Sequence, residues 1–330
     1  MSRLQARARS DRERLERELL SPAATRSTES RGRRRQEEPD AYRTAFERDR
    51  DRIVHSKAFR RLKHKTQVFL NPEGDHYVTR LTHTMQVAQI GRAMAVGLAL
   101  SEPLTEAICL AHDVGHSPFG HTGEDALSPY VDGEWLHSAQ GVRVLDVIEP
   151  LNLSWEVLDG VRAHSWRVAE PPATPEGMLC RYADRIAYLT HDVADAIRAD
   201  VIATTDLPTA AWTLGESARE WINSMITSVI QTSADEGRVT MAPDVQATMD
   251  TVRSFMFERV YLSPSMERQK QRAITVIRQL VEHFAEAPEE IPAGFDDPDP
   301  LLRAVDYVAG MTDRFAISTH DRLFRPALFP

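Results

Sequence analysis

Between residues 81 and 100, apolar side chains return close to every 3.6 positions, at Leu81, Met85, Ala88, Ala95 and Leu98. That spacing predicts a helix with one face turned toward a core. Similar patterns predict helices over residues 104–113, 135–148, 154–164, 176–198, 218–231, 242–257, 264–285 and 301–317. Pro- and Asp-rich stretches at 171–175, 206–208 and 288–300 separate them, because proline removes a backbone donor and stops helical continuation. Residues 58–69 read as a helix running into an extended piece, and Asn71-Pro72-Glu73-Gly74-Asp75 as a turn. Strand patterns are sparse, at 66–70 and 237–241, and no internal repeat is visible. The expected class is mainly α, a multi-helix bundle with at most a short β-hairpin.

The first 40 residues break this pattern, being dense in Arg and Glu and nearly free of large apolar side chains. Residues 3–19 are expected as a charged surface helix and 20–39 as a loop or disordered segment. Residues 1–40 are thus expected as a charged, partly disordered arm ahead of a core over 41–330, with the helices from about 210 as an all-α extension. Arg31, Arg33, Arg34 and Arg35 cluster in the arm. A solvated tail is the expectation for them, with anion binding or subunit docking as the alternative.

At 330 residues, 42% of them hydrophobic, the chain can bury a sizeable core. Two cysteines, Cys109 and Cys180, do not make a disulfide framework and point to a reducing compartment. No apolar run reaches the roughly 18 residues of a membrane span, and no signal-peptide pattern opens the chain. A formal charge of −9 argues against bulk nucleic-acid affinity. A soluble cytoplasmic protein is expected.

The chemistry concentrates in Ala111-His112-Asp113-Val114-Gly115-His116-Ser117-Pro118-Phe119-Gly120-His121-Thr122-Gly123-Glu124. A helix ending on His112-Asp113, broken by Gly115 and Pro118, presents two metal-ligand side chains at the mouth of a rigid element, with the other polar residues on an irregular turn beyond. His83, His112, Asp113 and one further carboxylate suit a hydrolytic divalent ion with open coordination positions. In the helix over 176–198, Asp184, Tyr188 and Asp192 share one face at i, i+4 and i+8, a stripe that is costly to bury without partners. Asp184 is the candidate fourth ligand. Arg80, and with it Arg185, can neutralise phosphate charge. No Gly-rich Walker loop is present.

The pattern His83…His112-Asp113…Asp184 resembles that of HD-domain phosphohydrolases. Residues 43–53 (RTAFERDRDRI), 65–69 (KTQVF), 79–83 (TRLTH), 115–121 (GHSPFGH) and 306–314 (DYVAGMTDR), taken in order, resemble bacterial dGTPase-like deoxynucleoside-triphosphate triphosphohydrolases. The resemblance runs from about residue 10 to 328. It implies an HD-domain bundle that hydrolyses a dNTP to a deoxynucleoside and inorganic triphosphate by attack at the α-phosphorus. His83, His112, Asp113 and Asp184 match the family's metal ligands, and His121 with Glu124 its catalytic pair. Arg80, His116 and His137 match groups near the phosphates, while Gln67, Tyr188 and Asp192 match residues around the sugar 3′-hydroxyl. The expected cofactor is a divalent metal, Mn or Mg first, with Fe, Ni or Co as alternatives. A homo-oligomer and a nucleotide activator are further implications.

Two departures stand out: Val78 occupies a position the family often gives to Arg, and the text after His137 is Ser138-Ala139-Gln140-Gly141 rather than Asn-x-Gln-Ser. Rival readings are an HD phosphohydrolase acting on nucleoside monophosphates or alarmone-type nucleotides, and a nucleotide-sensing or nucleic-acid-binding regulator supported only by the Arg cluster. His55, His64, His76 and His191 are expected at the surface or in packing, Tyr307 and Asp313 in packing, and Cys109 as a buried small apolar residue. His164 has no assigned role.

Overall fold

The structure, a computed structural model, describes residues 5–67, 78–262 and 264–326, side chains excepted at 264–266. His76, the turn expected at residues 71–75 and most of the strand expected over 66–70 lie outside the described residues. Among those described, the chain forms fourteen α-helices, and its only β features are isolated bridges, Arg33 with Ser154 and Thr66 with Thr79. The class is all-helical. No helix among the described residues is long and apolar enough to cross a membrane.

Five helices make the first core: α2 (Ala45–His55), α4 (Arg80–Gly97), α5 (Glu102–Ala111), α8 (Trp155–Ala163) and α9 (Pro175–Arg198). Their starts are written locally. Glu47 reaches back to the Thr44 N–H at 2.8 Å, and Thr174 accepts from Gly177 N at 3.1 Å with Pro175 behind it. Val87, Ile90, Met94, Leu104, Ile108, Leu179 and Ile186 fill the space between α4, α5 and α9. At roughly 1.5–3 kcal/mol for each large side chain taken from water, this packing fixes the three helices that carry His83, His112 and Asp184. Later helices α10 (Ala218–Glu236) and α11 (Pro243–Met256) join the same core through Trp221, Met225, Val252 and Met256.

A second apolar cluster lies beyond the site. It gathers Phe119, Leu127 and Trp135 with side chains of α12 (Pro264–Glu286), α13 (Pro300–Ala309) and α14 (Asp313–Phe324). Between the clusters run α6 (His121–Leu127) and α7 (His137–Arg143). Helix α7 continues as one π-turn over Val144–Ile148, and α11 as another over Phe257–Tyr261. The remaining helices are α1 (Arg9–Leu19) and α3 (Lys57–Arg61).

Four local expectations are corrected. The helix expected over 301–317 is two helices, because Thr312 accepts from Phe315 N at 3.3 Å and starts α14 as a new helix. No strand forms over 237–241: Gly237, at φ 68°, ends α10, and Ser233 Oγ ties back the Thr240 N–H at 2.9 Å. The turn after Asp113 is not irregular throughout, since it becomes α6 at His121. The Arg-rich segment also packs against the bundle rather than standing off it. Buried Glu176 accepts from Thr25 N, Thr25 Oγ and Ser101 N, and buried Glu156 from Ser30 Oγ and Arg31 N. Arg33 pairs with buried Asp49, Arg34 with Asp146, and Arg31 lies over the Trp155 ring at 3.7 Å.

Candidate functional site

Two helix ends converge on the middle of a third helix. Arg80 and His83 stand in the first turn of α4, His112 directly follows α5, and Asp184 is midway along α9. His112 Nδ1 donates to the Cys109 carbonyl at 2.7 Å, which leaves Nε2 as the lone-pair nitrogen. That Nε2 is fully buried and has no hydrogen-bond partner among the described residues. It points at two carboxylates, 3.4 Å from Asp113 Oδ1 and 3.6 Å from Asp184 Oδ1. His83 Nε2 lies 3.1 Å from the same Asp184 oxygen. Donor atoms of His83, His112 and Asp184 all fall within 4.8 Å of one another. An orphaned buried imidazole nitrogen between carboxylates fits a divalent cation, whose arrival would cancel the cost of leaving that nitrogen unpaired.

Electrostatics agree with that fit. Burial opposes protonation of His112, yet Asp113 and Asp184 outweigh it and lift the ring to about 10. Burial likewise pushes the Asp184 carboxyl up, but the nearby His112 and His83 rings hold it well below the usual range. Without a cation, a proton on His112 does the neutralising, so metal uptake would release it. Asp113, the expected fourth ligand, touches His112 but also accepts from Arg80 Nη1 at 2.9 Å and lies 2.9 Å from His116 Nδ1.

Past Asp113 the chain turns tightly. A Cβ on Gly115 would lie 2.1 Å from the His137 carbonyl oxygen and 2.2 Å from Gly141 N, so only glycine lets the turn lie against α7. Gly115→Ala is therefore expected to cost about 3 kcal/mol or more, read as a drop in melting temperature, because backbone cannot yield as a side chain can. Gly120, at φ 58°, faces Arg80, whose Nη2 would lie 2.7 Å from an added Cβ.

Glu124, on α6, is the hub of a second group. Its carboxylate is 2.6 Å from His137 Nδ1, 3.0 Å from Arg167 Nη1, 3.3 Å from His121 Nδ1 and 3.5 Å from His116 Nε2. His137 stacks on His116 with ring centres 3.8 Å apart. His137 Nε2 is 3.0 Å from His164 Nε2, and His164 Nδ1 donates to the Val161 carbonyl at 2.7 Å. Burial, with His112 and His137 close by, drives His164 down to about 3, so it is a neutral acceptor. His137 thus bridges Glu124 and His164. Burial raises the Glu124 carboxyl, but His137 and His121 prevail and hold it well below its ordinary range.

Both groups open on one cavity of about 480 Å³, within the range of small-molecule sites. Gln67, Arg80, His83, Asp113, His116, His121, His137, Asp184, Arg185 and Tyr188 line it. His112, Glu124 and Asp192 are buried behind that wall, each against a residue of the lining. Tyr188 is stacked on Tyr261 with ring centres 5.9 Å apart, and the Tyr261 hydroxyl donates to Asp192 at 2.6 Å. Burial pushes the Tyr188, Tyr261 and Asp192 protons to higher pH, while Lys270 Nζ donates to the Tyr261 carbonyl at 3.1 Å.

Several lining residues have no counterpart in the sequence reading: Trp166, Arg167, Arg253, Phe257, Tyr261 and Lys270. Arg253, Phe257 and Tyr261 recur at i, i+4 and i+8, the same stripe signal that marked Asp184, Tyr188 and Asp192. Trp166 and Arg167 follow His164 on a loop, where no periodicity could have marked them. Arg185 lies over the Trp166 ring at 4.3 Å.

A model of the HD domain matches residues 80–200, and one of the phosphohydrolase-associated domain matches residues 239–322. The chain is 46% identical over 324 residues to a protein of Caldanaerobacter subterraneus subsp. tengcongensis named deoxyguanosinetriphosphate triphosphohydrolase-like, covering 96% of this chain and 95% of that one. Proteins of the same name from Desulfatibacillum aliphaticivorans and Clostridium perfringens are 42% and 41% identical, and each alignment covers 95% of this chain and 97% or 96% of the relative. Among solved structures, a phosphohydrolase from Bacteroides thetaiotaomicron shares the fold with a TM-score of 0.51 at 19% identity, covering 81% of this chain and 66% of that one.

Proposed function

Since the chain belongs to the HD-domain family, among proteins of the deoxyguanosinetriphosphate triphosphohydrolase-like kind, we propose that it is a cytoplasmic, metal-dependent hydrolase that cuts deoxynucleoside triphosphates into deoxynucleoside and inorganic triphosphate. One observation carries the reading. The His83–His112–Asp184 donor set shares one cavity with Arg80, Arg167, Arg185, Arg253 and Lys270 and with Gln67, Tyr188 and Tyr261. The cations suit a polyanion held beside a metal, and the glutamine and tyrosines suit an uncharged sugar.

In this reading His83, His112, Asp113 and Asp184 hold the ion. When bound, it supplies Lewis acidity at a phosphate oxygen and makes water easier to deprotonate. The arginines bind the phosphate oxygens with forked donors and hold the α-phosphorus in place. Water forms the new P–O bond at that phosphorus while the bond from phosphorus to the sugar 5′-oxygen breaks. The departing sugar oxygen ends protonated. His121 keeps Nδ1 toward Glu124 and has Nε2 available to carry that proton. Tyr188, packed on Tyr261, closes the sugar end and excludes a 2′-hydroxyl by lack of room. The resemblance to the family adds a homo-oligomer and an activating second nucleotide to the reading.

The test is to incubate the purified protein with each dNTP, singly and in pairs, with Mn²⁺ or Mg²⁺, and to identify the phosphate product. Inorganic triphosphate and free deoxynucleoside are expected. Pyrophosphate or orthophosphate as the first product would sink the proposal, and stimulation of one dNTP's hydrolysis by another would reveal the activator.

A further inference from the structure

Asp313 opens α14, far along the chain from every residue so far given a role, and its side chain is buried. Neither of its carboxylate oxygens serves its own helix. Oδ2 accepts the backbone N–H of Thr66 at 2.9 Å, and Oδ1 accepts that of Phe119 at 3.0 Å. Each bonded residue stands next to cavity-lining chain. Gln67 follows Thr66, and its side-chain oxygen is buried without a hydrogen-bond partner among the described residues. Phe119 precedes Gly120 and His121, and it adopts φ 63°, a left-handed conformation that persists only where surroundings hold it.

The neighbouring Lys65 reinforces the junction. Its ammonium is buried and donates to the carbonyls of His116 and Ala309, tying the same two segments to the end of α13. The Lys65 carbonyl accepts from Arg80 N at 3.1 Å, and the Gln67 carbonyl oxygen lies 3.7 Å from where a Gly120 Cβ would be. Thus residues 65–67 and the turn leading to His121 lie side by side, joined through one carboxylate.

We propose that Asp313 is a positioning residue: it sets the backbone register of Gln67 and of the turn ahead of His121, so that the C-terminal helices build the sugar-facing and proton-carrying edges of the cavity. The proposal rests on the reading of the cavity as a dNTP site. A charged acceptor shared by two backbone donors binds each more strongly than a neutral amide would, and asparagine at 313 offers one acceptor where two are needed.

The experiment compares the parent, Asp313→Asn, Gln67→Ala and the double variant, each loaded with Mn²⁺. For each, kcat/KM is measured on a dNTP and on its 2′,3′-dideoxy analogue. Amide hydrogen exchange is followed in parallel over residues 61–67, 116–121 and α9. Asp313→Asn is expected to lower kcat/KM on the dNTP by ~10²-fold, the scale of a misplaced reacting group, and to shrink the preference for the dNTP over the dideoxy analogue by about tenfold. The double variant should be no worse than Asp313→Asn alone. Exchange should rise in the first two segments and stay unchanged in α9. Equal losses on both substrates, or losses that multiply in the double variant, would overturn the proposal, and so would exchange that is unchanged or raised everywhere. If the parent hydrolyses no dNTP, the reading of the cavity fails, and the exchange pattern alone decides the role of Asp313. Should Asp313→Asn not fold, Asp313→Glu, which keeps both acceptors on a longer stem, takes its place with the same outcomes.

Discussion

Asp184→Asn is expected to cut turnover by ~10³-fold or more, the equivalent of several kcal/mol of lost charge stabilisation. Asp184 Oδ1 is the atom shared by His83 at 3.1 Å and His112 at 3.6 Å, so it is the carboxylate that makes the two imidazoles into one donor set. Asparagine has the same shape and leaves the packing of α9 against α4 and α5 intact. It replaces a charged ligand by a neutral one, and its NH₂, turned toward the imidazoles, would donate to the lone pairs that a cation needs. The metal content after dialysis should fall to background, while the melting temperature of the metal-free protein shifts by only a few degrees. An Asp184→Asn protein that keeps its ion and its turnover would remove His83, His112 and Asp184 from the site.

The second large effect separates proton movement from metal holding. Glu124→Gln should lower kcat by 10²–10⁴-fold, the usual contribution of general acid–base catalysis, with metal content unchanged. Glu124 is the only carboxylate among the described residues that contacts His121, His137 and Arg167 together. Glutamine removes the charge that His137 and Arg167 face and that turns His121 toward the cavity. The amide also brings a donor against three donors, so part of the loss is orientation. A kcat within about threefold of the parent would show that His121 needs no partner and that Glu124 has only a packing role.

Most helices were legible because a helix that buries one face must repeat apolar residues near 3.6, and α5, α9 and α11 do so plainly. The face expected for α4 is corrected: Met85 is exposed, and Val87, Ile90 and Met94 are buried instead, because apolar residues stand all round that helix. Errors fell where that signal is short or shared. Helix α6 has seven residues, too few for a period to show, yet it carries Glu124. The break between α13 and α14 was missed because apolar residues continue in phase across it, while the Thr312 cap that decides it is a local hydrogen bond. The Arg-rich segment was read as solvated because its few apolar residues gave no core signal. Buried acceptors on distant helices, Asp49, Glu156 and Glu176, hold it instead.

By itself the sequence determined which side chains could do chemistry, since ligand type and spacing along one helix are local properties: His112 beside Asp113, and the Asp184–Tyr188–Asp192 stripe, are readable from text alone. The tertiary structure decided what those residues face. It set Tyr261 against both Tyr188 and Asp192, gave His164 a place behind His137, brought Arg167 to Glu124, and put Asp313 between Thr66 and Phe119. The physical reason is common to all four. Each is a contact between residues far apart in the chain, and such contacts are chosen by which helices pack together, a decision that no single stretch of the chain contains.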